Sequence, residues 1–275
     1  MPTRDQPIAI DVDDVSLEGT LVRPGAQVPG VLFVHGWGGS QVHYLERARE
    51  VAALGCICLT FDLRGHAHTR ERFDTVTRED NLQDVVAAYD RLAAQQGVDC
   101  NAMAVVGSSY GGYLGAILTA MRPVRWLGLR SPALYLDKGW ESPKLQLHKD
   151  DDLVAYRRKL VAAETNRALA ACQSFEGDAL LVESELDTIV PRTVLTSYRG
   201  ALTHTRSITY RCIEGADHGL TQERDQRAYS QVLVGWLKEM IVGARAGAVV
   251  RGAPAEPAGA PAMPESAPHE VERGE

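Results

Sequence analysis

A serine stands at the centre of a short glycine-flanked segment, Gly107-Ser108-Ser109-Tyr110-Gly111, which matches the pattern G-x-S-x-G. An apolar, strand-like run precedes this segment, and an apolar, helix-like stretch follows it. In that strand–turn–helix context the serine hydroxyl stands at the apex of a sharp turn and can act as a nucleophile. The N–H groups at the start of the following helix could stabilise a developing oxyanion. The segment therefore predicts acyl transfer at Ser109.

Two further residues could complete a catalytic triad with this serine. Asp187 follows an apolar run at 179–183, and His218 lies between the last predicted strand and the last predicted helix. A histidine can remove the proton of the serine hydroxyl while a carboxylate holds its other ring nitrogen. In an open α/β sheet, sites assemble at the carboxyl ends of the strands, and each of the three residues follows a strand. We therefore expect Ser109, His218 and Asp187 to act as nucleophile, base and acid.

Four other side chains remain open as alternatives for these roles: Asp217, Glu183 and Glu185 for the acid, and Ser108 for the nucleophile. Asp217 adjoins His218 in the sequence, so its carboxylate is badly placed to orient that imidazole. Ser108 does not lie at the centre of the motif. The spacing therefore favours the first assignment over all four.

The remaining candidates for chemistry are a histidine pair and five cysteines. His66 and His68 form an H-x-H pair, a spacing that metal sites also use, but the sequence offers no third ligand nearby. The cysteines are scattered, odd in number and without a C-x-x-C pair, which is typical of reduced, buried thiols. We therefore expect neither a metal nor an organic cofactor.

The elements that must position these residues alternate between strand and helix. Runs at 8–12 and 16–22 predict an antiparallel hairpin, and continuous apolar runs at 30–35 and 57–61 are typical of central strands. An amphipathic helix is predicted at 78–96. Strands that alternate with helices need parallel pairing and right-handed crossovers. The sequence therefore predicts an α/β fold with a mostly parallel sheet of about eight strands and helices on both faces.

A single domain is expected to span residues 1–242, with a short helical insertion at about 133–177 after the sixth strand. The insertion begins with a Pro-, Trp- and charge-rich part, and its second part has the spacing of a helix. Within it, Tyr135 and Trp140 are candidates for lining an acyl-binding pocket. Residues 243–275 hold five prolines, many Ala and Gly, and no aromatic residue, which predicts a disordered tail.

The composition excludes several classes of function. With 29 Lys and Arg against 36 Asp and Glu, the net charge is −7, so the chain has no basic surplus for phosphates and we expect no nucleic-acid partner. No apolar segment approaches the ~18 residues of a membrane span, and the N-terminal segment lacks the apolar core of a secretory signal. We therefore expect a cytoplasmic protein without a membrane partner.

Together these motifs resemble the α/β-hydrolase superfamily over about residues 15–242. The segment 107–113, Gly-Ser-Ser-Tyr-Gly-Gly-Tyr, is similar to dienelactone-hydrolase-like esterases and to the catalytic domains of prolyl-oligopeptidase-type peptidases. The resemblance implies an α/β-hydrolase fold, with Ser109 as nucleophile, His218 as base and Asp187 as the residue that orients the base.

The resemblance also implies two backbone donors and a braced loop. The backbone N–H groups of Trp37, in the segment His-Gly-Trp-Gly-Gly, and of Tyr110 would form an oxyanion hole. Asp62 and Arg64, in the segment Phe-Asp-Leu-Arg-Gly-His, would brace loops without taking part in the chemistry. The chain departs from the usual pattern R-G-H-G-x-S, since Ala67 replaces the second glycine.

These residues predict a serine hydrolase that cleaves carboxylic esters of small to medium acyl groups through an acyl-enzyme intermediate. A serine peptidase acting on short peptides would use the same catalytic residues and remains an alternative. A non-catalytic binding protein with this fold is a third interpretation, against which the complete catalytic set argues. The expected partner is a small-molecule ester, and the sequence specifies neither its identity nor the oligomeric state.

Overall fold

The computed structural model describes residues 3–24, 29–149 and 151–251 and is built around one eight-stranded sheet. Its strands are β1 (Thr3–Val12), β2 (Val15–Pro24), β3 (Gly30–Val34), β4 (Ile57–Phe61), β5 (Met103–Ser108), β6 (Trp126–Arg130), β7 (Asp178–Ser184) and β8 (Ser207–Ile213). Its helices are α1 (Val42–Ala53), α2 (Arg78–Ala93), α3 (Tyr110–Leu118), α4 (Asp151–Arg157), α5 (Arg167–Gln173), α6 (Arg192–Ala201) and α7 (Glu223–Arg251). The predicted alternation of strands and helices is confirmed.

The order of the strands across the sheet is β1-β2-β4-β3-β5-β6-β7-β8. The first two strands form the predicted antiparallel hairpin, which joins the sheet through an antiparallel pair between β2 and β4. Every further pair, from β4 across to β8, is parallel. The mostly parallel eight-stranded sheet is therefore confirmed, and the carboxyl ends of β3 to β8 lie along one edge.

Each face of the sheet carries its own apolar cluster, because alternate residues of a strand point to opposite faces. In β3, Leu32 and Val34 belong to the cluster formed with α2, α3, α5 and α6, whereas Val31 and Phe33 face α1 and α7. All four side chains are buried. A strand covered on both faces has no polar side, which explains the continuous apolar run in the sequence.

Helix α2 shows how local sequence sets a helix boundary. The Oγ1 atom of Thr77 accepts the N–H of Asp80 at 3.0 Å, and the Asp80 carboxylate accepts the N–H of Thr77 at 2.9 Å. This reciprocal capping box satisfies two backbone donors that the helix itself leaves unpaired. The helix that follows buries Leu82 and Val85 against the sheet.

The insertion differs from the single helix that the sequence predicts. Its helical part is divided between α4, which ends at Arg157, and α5, which begins after Asn166. The Asn166 side-chain oxygen accepts the N–H groups of Ala168 and Leu169 at 3.0 and 3.3 Å and so caps a new helix. The single stretch with helical spacing in the sequence therefore corresponds to two short helices.

The last helix also extends further than the sequence predicts. The expected tail begins at residue 243, but α7 continues to Arg251. Residues 244–251 are rich in alanine and contain no proline, so the helix can continue through them. The rest of the predicted tail, 252–275, lies outside the described residues. None of the helices in the described part, α7 included, is both long and apolar enough to cross a membrane.

Thr77→Ala should lower the free energy of unfolding by about 1 kcal/mol, because the Asp80 N–H loses its acceptor at the start of α2. Thr77→Ser keeps a hydroxyl in the same place and should remain within about 0.5 kcal/mol of the wild type. Chemical denaturation of both variants measures the difference. Equal stability of the two variants would contradict the role given to this cap.

Candidate active site

Ser109 lies in a tight turn between β5 and α3. Its φ is +51° and its ψ is −116°, a conformation that residues other than glycine rarely adopt. The flanking glycines permit the turn, because a Cβ on Gly111 would lie 2.5 Å from the His35 carbonyl oxygen and a Cβ on Gly107 would lie 2.6 Å from the Gly112 nitrogen. No larger residue fits at either position. The glycines of the motif are thus required by close backbone packing.

The loops after β7 and β8 bring an aspartate and a histidine to this serine. His218 Nε2 lies 3.0 Å from Ser109 Oγ, and His218 Nδ1 lies 2.7 Å from Asp187 Oδ2. The other carboxylate oxygen of Asp187 accepts the backbone N–H groups of Ile189 and Val190 at 2.9 and 2.8 Å. The three side chains form one continuous hydrogen-bonded chain, an arrangement that can pass the hydroxyl proton to the imidazole.

The ionisation of Asp187 follows from its surroundings. Burial alone would raise the pKa of this carboxyl group, but hydrogen bonds from His218 and from the N–H groups of Val190 and Ile189 hold the pKa below its usual value. The carboxylate therefore stays ionised at neutral pH and accepts the Nδ1–H of the imidazole. This hydrogen bond favours the tautomer whose Nε2 can take a proton.

The alternative acids lie in other interactions. Asp217 accepts hydrogen bonds from the N–H and the hydroxyl of Thr221, at 2.9 and 2.6 Å, and so closes a turn. Glu185 accepts the N–H of Gly215 at 2.8 Å, and Glu183 forms an ion pair with an arginine of α6. None of these three carboxylates is hydrogen-bonded to the imidazole, so the geometry favours the first assignment.

Two buried histidines brace the loop that follows β3. His35 Nε2 accepts the N–H of Leu63 at 3.0 Å, and its Nδ1 donates to the Gly36 carbonyl oxygen at 2.8 Å. His66 Nε2 accepts the N–H of Gly38 at 2.9 Å. Burial lowers the pKa of both imidazoles, that of His35 to about 3, so both stay neutral and can accept these bonds. The sequence marked His66 but not His35 as a separate candidate.

The predicted oxyanion donors lie close to the serine. Trp37 lines the same cavity as Ser109, and Tyr110 is the first residue of α3, so its N–H has no acceptor within the helix. The amides of Gly38 and Gly39, on the same loop, are hydrogen-bonded within the protein. The N–H groups of Trp37 and Tyr110 stay our candidates for the oxyanion hole.

The two members of the H-x-H pair lie in different environments. His66 is buried under the loop that it braces, whereas His68 is exposed and lies 2.6 Å from Glu18. In the part of the chain that the structure describes, no group of three or more His, Cys, Asp or Glu side chains is placed to hold a metal ion. The pair therefore has a structural explanation without a metal.

A cavity of about 510 Å³ opens beside Ser109 and His218. Its walls are the loop after β3, the start of α1 and the start of α7. Two of its lining residues, Tyr44 and Tyr229, belong to the apolar cluster under α1 and α7, which places the cavity toward that face of the sheet. A volume of this size is typical of small-molecule sites.

Tyr135 and Trp140 do not line this cavity, which corrects their predicted role in binding the acyl group. Both rings pack near Tyr113 of α3, with centroid distances of 5.0 and 6.1 Å, in the cluster on the opposite face of the sheet. Arg78 holds their segment there by donating to the Leu136 carbonyl oxygen at 2.7 Å. The insertion is thus tied to α2 and α3, and none of its described residues lines the cavity.

Arg130 is a residue of the site that the sequence reasoning missed. Its Nε donates to Ser108 Oγ at 3.2 Å, and its Nη1 donates to the His218 carbonyl oxygen at 2.8 Å. The side chain also lines the cavity. A charged residue at the carboxyl end of the otherwise apolar β6 was the available signal, since sites form at that edge. Arg130 ties the histidine loop to the serine turn.

Comparison with known sequences places the chain in a family. The profile of the Prolyl oligopeptidase family (Peptidase_S9) matches residues 42–243. The chain is 28% identical over 114 residues to the alpha/beta hydrolase domain-containing protein WAV2 of Arabidopsis thaliana. That match covers 40% of this chain and 36% of WAV2, so it spans about a third of the relative's length.

Several solved structures of hydrolases share the fold. Dienelactone hydrolase from Anabaena variabilis is similar with a TM-score of 0.59 and 21% identity, over 86% of this chain and 98% of that chain. Acylaminoacyl peptidase from Pyrococcus horikoshii is similar with a TM-score of 0.65 and 15% identity, over 86% of this chain and 41% of that chain. Est1E from Butyrivibrio proteoclasticus, which has been solved with bound ferulic acid, is similar with a TM-score of 0.64 and 18% identity. The match covers 87% of this chain and 99% of that chain. At these identities the likeness shows the fold alone.

The family match covers the residues that the geometry brings together. Ser109, Asp187 and His218 all fall within the matched residues 42–243, which make up more than half of the chain. The chain therefore belongs to the prolyl oligopeptidase family, within the α/β-hydrolase superfamily.

Proposed function

We propose that the protein is an esterase that hydrolyses carboxylic esters of small or medium acyl groups at Ser109. The observation that carries the proposal is the hydrogen-bonded chain from Ser109 through His218 to Asp187, which borders a cavity of about 510 Å³. Such a chain supplies a nucleophile and a base, and the cavity supplies room for a small substrate.

The first half of the reaction forms an acyl-enzyme. Ser109 Oγ attacks the ester carbonyl carbon while His218 Nε2, 3.0 Å away, takes the hydroxyl proton. The carbonyl oxygen becomes an oxyanion, to which the N–H groups of Trp37 and Tyr110 donate hydrogen bonds. His218 then gives its proton to the leaving alcohol as the C–O bond breaks. The acyl group remains on the serine as a new ester.

The second half of the reaction releases the acid. His218 removes a proton from water, the water oxygen attacks the acyl carbonyl carbon, and the proton passes to Ser109 Oγ as the acid leaves. Asp187 stays ionised in both halves and stabilises the imidazolium that forms in each. The free enzyme is restored with one ester and one water consumed.

A peptidase acting on short peptides is the second candidate, because the matched family is named for oligopeptidases. An amide demands firm protonation of a poor leaving amine, which needs a leaving group held closely beside His218. A peptide substrate is often held by pairing with an edge strand. The edge strands here are β1 and β8, and neither lines the cavity. These observations favour an ester.

Ser109→Ala should lower kcat by roughly 10⁴-fold or more, because the nucleophile is lost while binding and oxyanion stabilisation remain. The variant should also lose labelling by a fluorophosphonate probe. Ser174→Ala, an exposed serine at the end of α5, serves as the matched control and should retain both properties. If the Ser109→Ala variant is folded, as its thermal unfolding transition would show, and keeps kcat within tenfold of the wild type, Ser109 is excluded as the nucleophile.

Asp187→Asn should lower kcat by about 10³- to 10⁴-fold, because an amide can stabilise the wrong imidazole tautomer. Asp217→Asn is the matched control, since this carboxylate caps Thr221 and does not touch the imidazole. The kcat of the Asp217→Asn variant should stay within about tenfold of the wild type. Steady-state kinetics of both variants decide between the two acids, and the reverse pattern would transfer the role to Asp217.

The ester and peptidase proposals are separated by kcat/KM for two substrate series and one enzyme preparation. We expect kcat/KM for p-nitrophenyl acetate and butyrate to be well above that for any aminoacyl-p-nitroanilide. The reason is that the amine of an anilide is a poorer leaving group than the phenol of an ester. Long-chain p-nitrophenyl esters should be poor substrates, since a cavity of about 510 Å³ has little room for a long acyl chain. An anilide that rivals the best short ester would replace the esterase proposal with the peptidase.

A further inference from the structure

We propose that Arg47 and Arg130 form an anion-binding subsite in the cavity beside Ser109, and that the preferred substrate is an ester that also carries a carboxylate group. Both arginines line this cavity. The inference rests on the proposed function, because it names the class of ester that the same site would take.

Arg130 is a buried cation to which the described residues offer no counter-charge. The residue is only 7% exposed, and its hydrogen bonds go to neutral oxygens, those of Ser108, Ser184 and the His218 backbone. Its Nη2 has no hydrogen-bond acceptor, and its guanidinium no carboxylate within 4.0 Å, among the described residues. Buried charges are normally paired, because leaving water is costly for an ion without a partner. Arg130 therefore has an unmet preference for an anion.

Arg47 approaches the same cavity from α1. Its Nη1 donates to the His43 carbonyl oxygen at 2.9 Å, and its Nη2 makes a long contact of 3.4 Å with the Gln226 carbonyl oxygen. Its Nε is buried and has no acceptor among the described residues. No carboxylate of the described chain forms an ion pair with this guanidinium either. A second cation that has no counter-charge within the described residues thus borders the cavity.

The ring of Tyr229 lies between these two arginines. The guanidinium carbon of Arg47 is 5.0 Å from the ring centroid, and that of Arg130 is 5.8 Å from it. Burial raises the pKa of Tyr229 to about 12, so the phenol is neutral and supplies no counter-charge. The shared ring holds the two cations on one wall of the cavity.

Other buried arginines of the chain differ from this pair. Arg64 is paired with Asp84 at 2.5 Å, which is how the fold neutralises a cation in its interior. Arg78 and Arg157 are buried and have no carboxylate partner in the described part of the chain, but they do not line the cavity beside the serine. Only the pair in the cavity combines missing counter-charges, among the described residues, with access for a ligand.

The charge of the cavity contrasts with that of the whole protein. The chain has a net charge of −7, yet among the described residues that line the cavity Glu46 is the one carboxylate, and it is exposed. Glu46 and Arg47 are adjacent on a helix, and adjacent helical residues do not face each other. The cavity is therefore a positive site in an acidic protein, and such a site attracts anions.

A carboxylate matches these donors best, since a guanidinium binds it through two parallel hydrogen bonds. The cavity of about 510 Å³ also holds Ser109, so the carboxylate and the ester must belong to one small molecule. Two chemical sources meet this requirement. The substrate is either the half-ester of a dicarboxylic acid or an acylated hydroxycarboxylic acid, and the test below separates them.

The test measures kcat/KM for two matched pairs of rigid aromatic esters. In one pair the charge lies in the leaving group, 4-acetoxybenzoate against 4-acetoxybenzamide. In the other it lies in the acyl group, mono-4-nitrophenyl terephthalate against 4-nitrophenyl 4-carbamoylbenzoate. The para arrangement prevents the carboxylate from attacking its own ester. We expect the anion to be preferred in at least one pair by about ten- to hundredfold, the effect of a charged hydrogen bond.

Substitution of the two arginines tests their part in that preference. Each of the variants Arg47→Gln and Arg130→Gln should reduce the ratio of kcat/KM between anion and amide to less than about threefold. The remaining preference is the weak effect of a screened charge. Arg122→Gln, which removes an arginine paired with Asp90 beyond the far end of α3, should leave the ratio unchanged. Because Arg130 also holds His218, its variant will lower kcat for neutral esters too. The ratio within a pair is the readout that a purely structural role would not move.

A binding measurement separates this inference from the proposed function. In the Ser109→Ala variant, titration calorimetry compares the binding of 4-hydroxybenzoate with that of 4-hydroxybenzamide. We expect the carboxylate to bind more tightly than the amide, and we expect this difference to disappear when Arg47→Gln is added. That result would support the subsite without any turnover. Failure to hydrolyse any ester or to react with a fluorophosphonate would overturn the esterase proposal alone. Ester turnover with equal kcat/KM in both pairs, or a preference that survives both glutamine variants, would overturn the anion subsite alone.

Discussion

The close approach of the first turn of α3 to the end of β3 is the contact on which the rest of the site depends. A Cβ on Gly111 would overlap the carbonyl oxygens of Val34 and His35, so only glycine lets the two backbones meet. This approach holds Ser109 at a φ of +51° and sets the loop after β3 beside it. A looser contact would leave the proposed nucleophile and the proposed oxyanion donors without a fixed separation, and electrostatic stabilisation depends on that separation.

Buried hydrogen bonds hold the loops that surround this turn. Asp62 accepts the backbone N–H of Gln41 at 2.8 Å, and Arg64 pairs with Asp84 at 2.5 Å, which are bracing contacts of the kind that the family resemblance implies. Ala67 has a φ of +44°, so the loop keeps a left-handed backbone where the usual pattern has glycine. Polar groups that find partners in a low-dielectric interior rigidify their surroundings. The loops therefore present the site in one arrangement before a substrate arrives.

Much of this arrangement could be predicted from local patterns in the sequence. Apolar runs such as 57–61 mark central strands, because a strand covered on both faces has no polar side. The meeting of Ser109, Asp187 and His218 also follows, since the carboxyl ends of parallel strands share one edge. Single residues set the boundaries that the patterns missed. Asn166, for example, caps a new helix inside a stretch whose periodicity indicates only one.

Only the tertiary structure decided which side chains surround the serine. Trp140 lies in the predicted insertion, yet Arg78 of α2 holds that segment on the face opposite the cavity. The cavity wall comes instead from α1 and α7, and it brings together Arg47 and Arg130, which no local pattern links. Strand and helix periods depend on neighbours along the chain, so the sequence by itself determined the fold and the edge where the three site residues meet. The shape and charge of the cavity depend on how distant helices pack, so only the folded chain decided them.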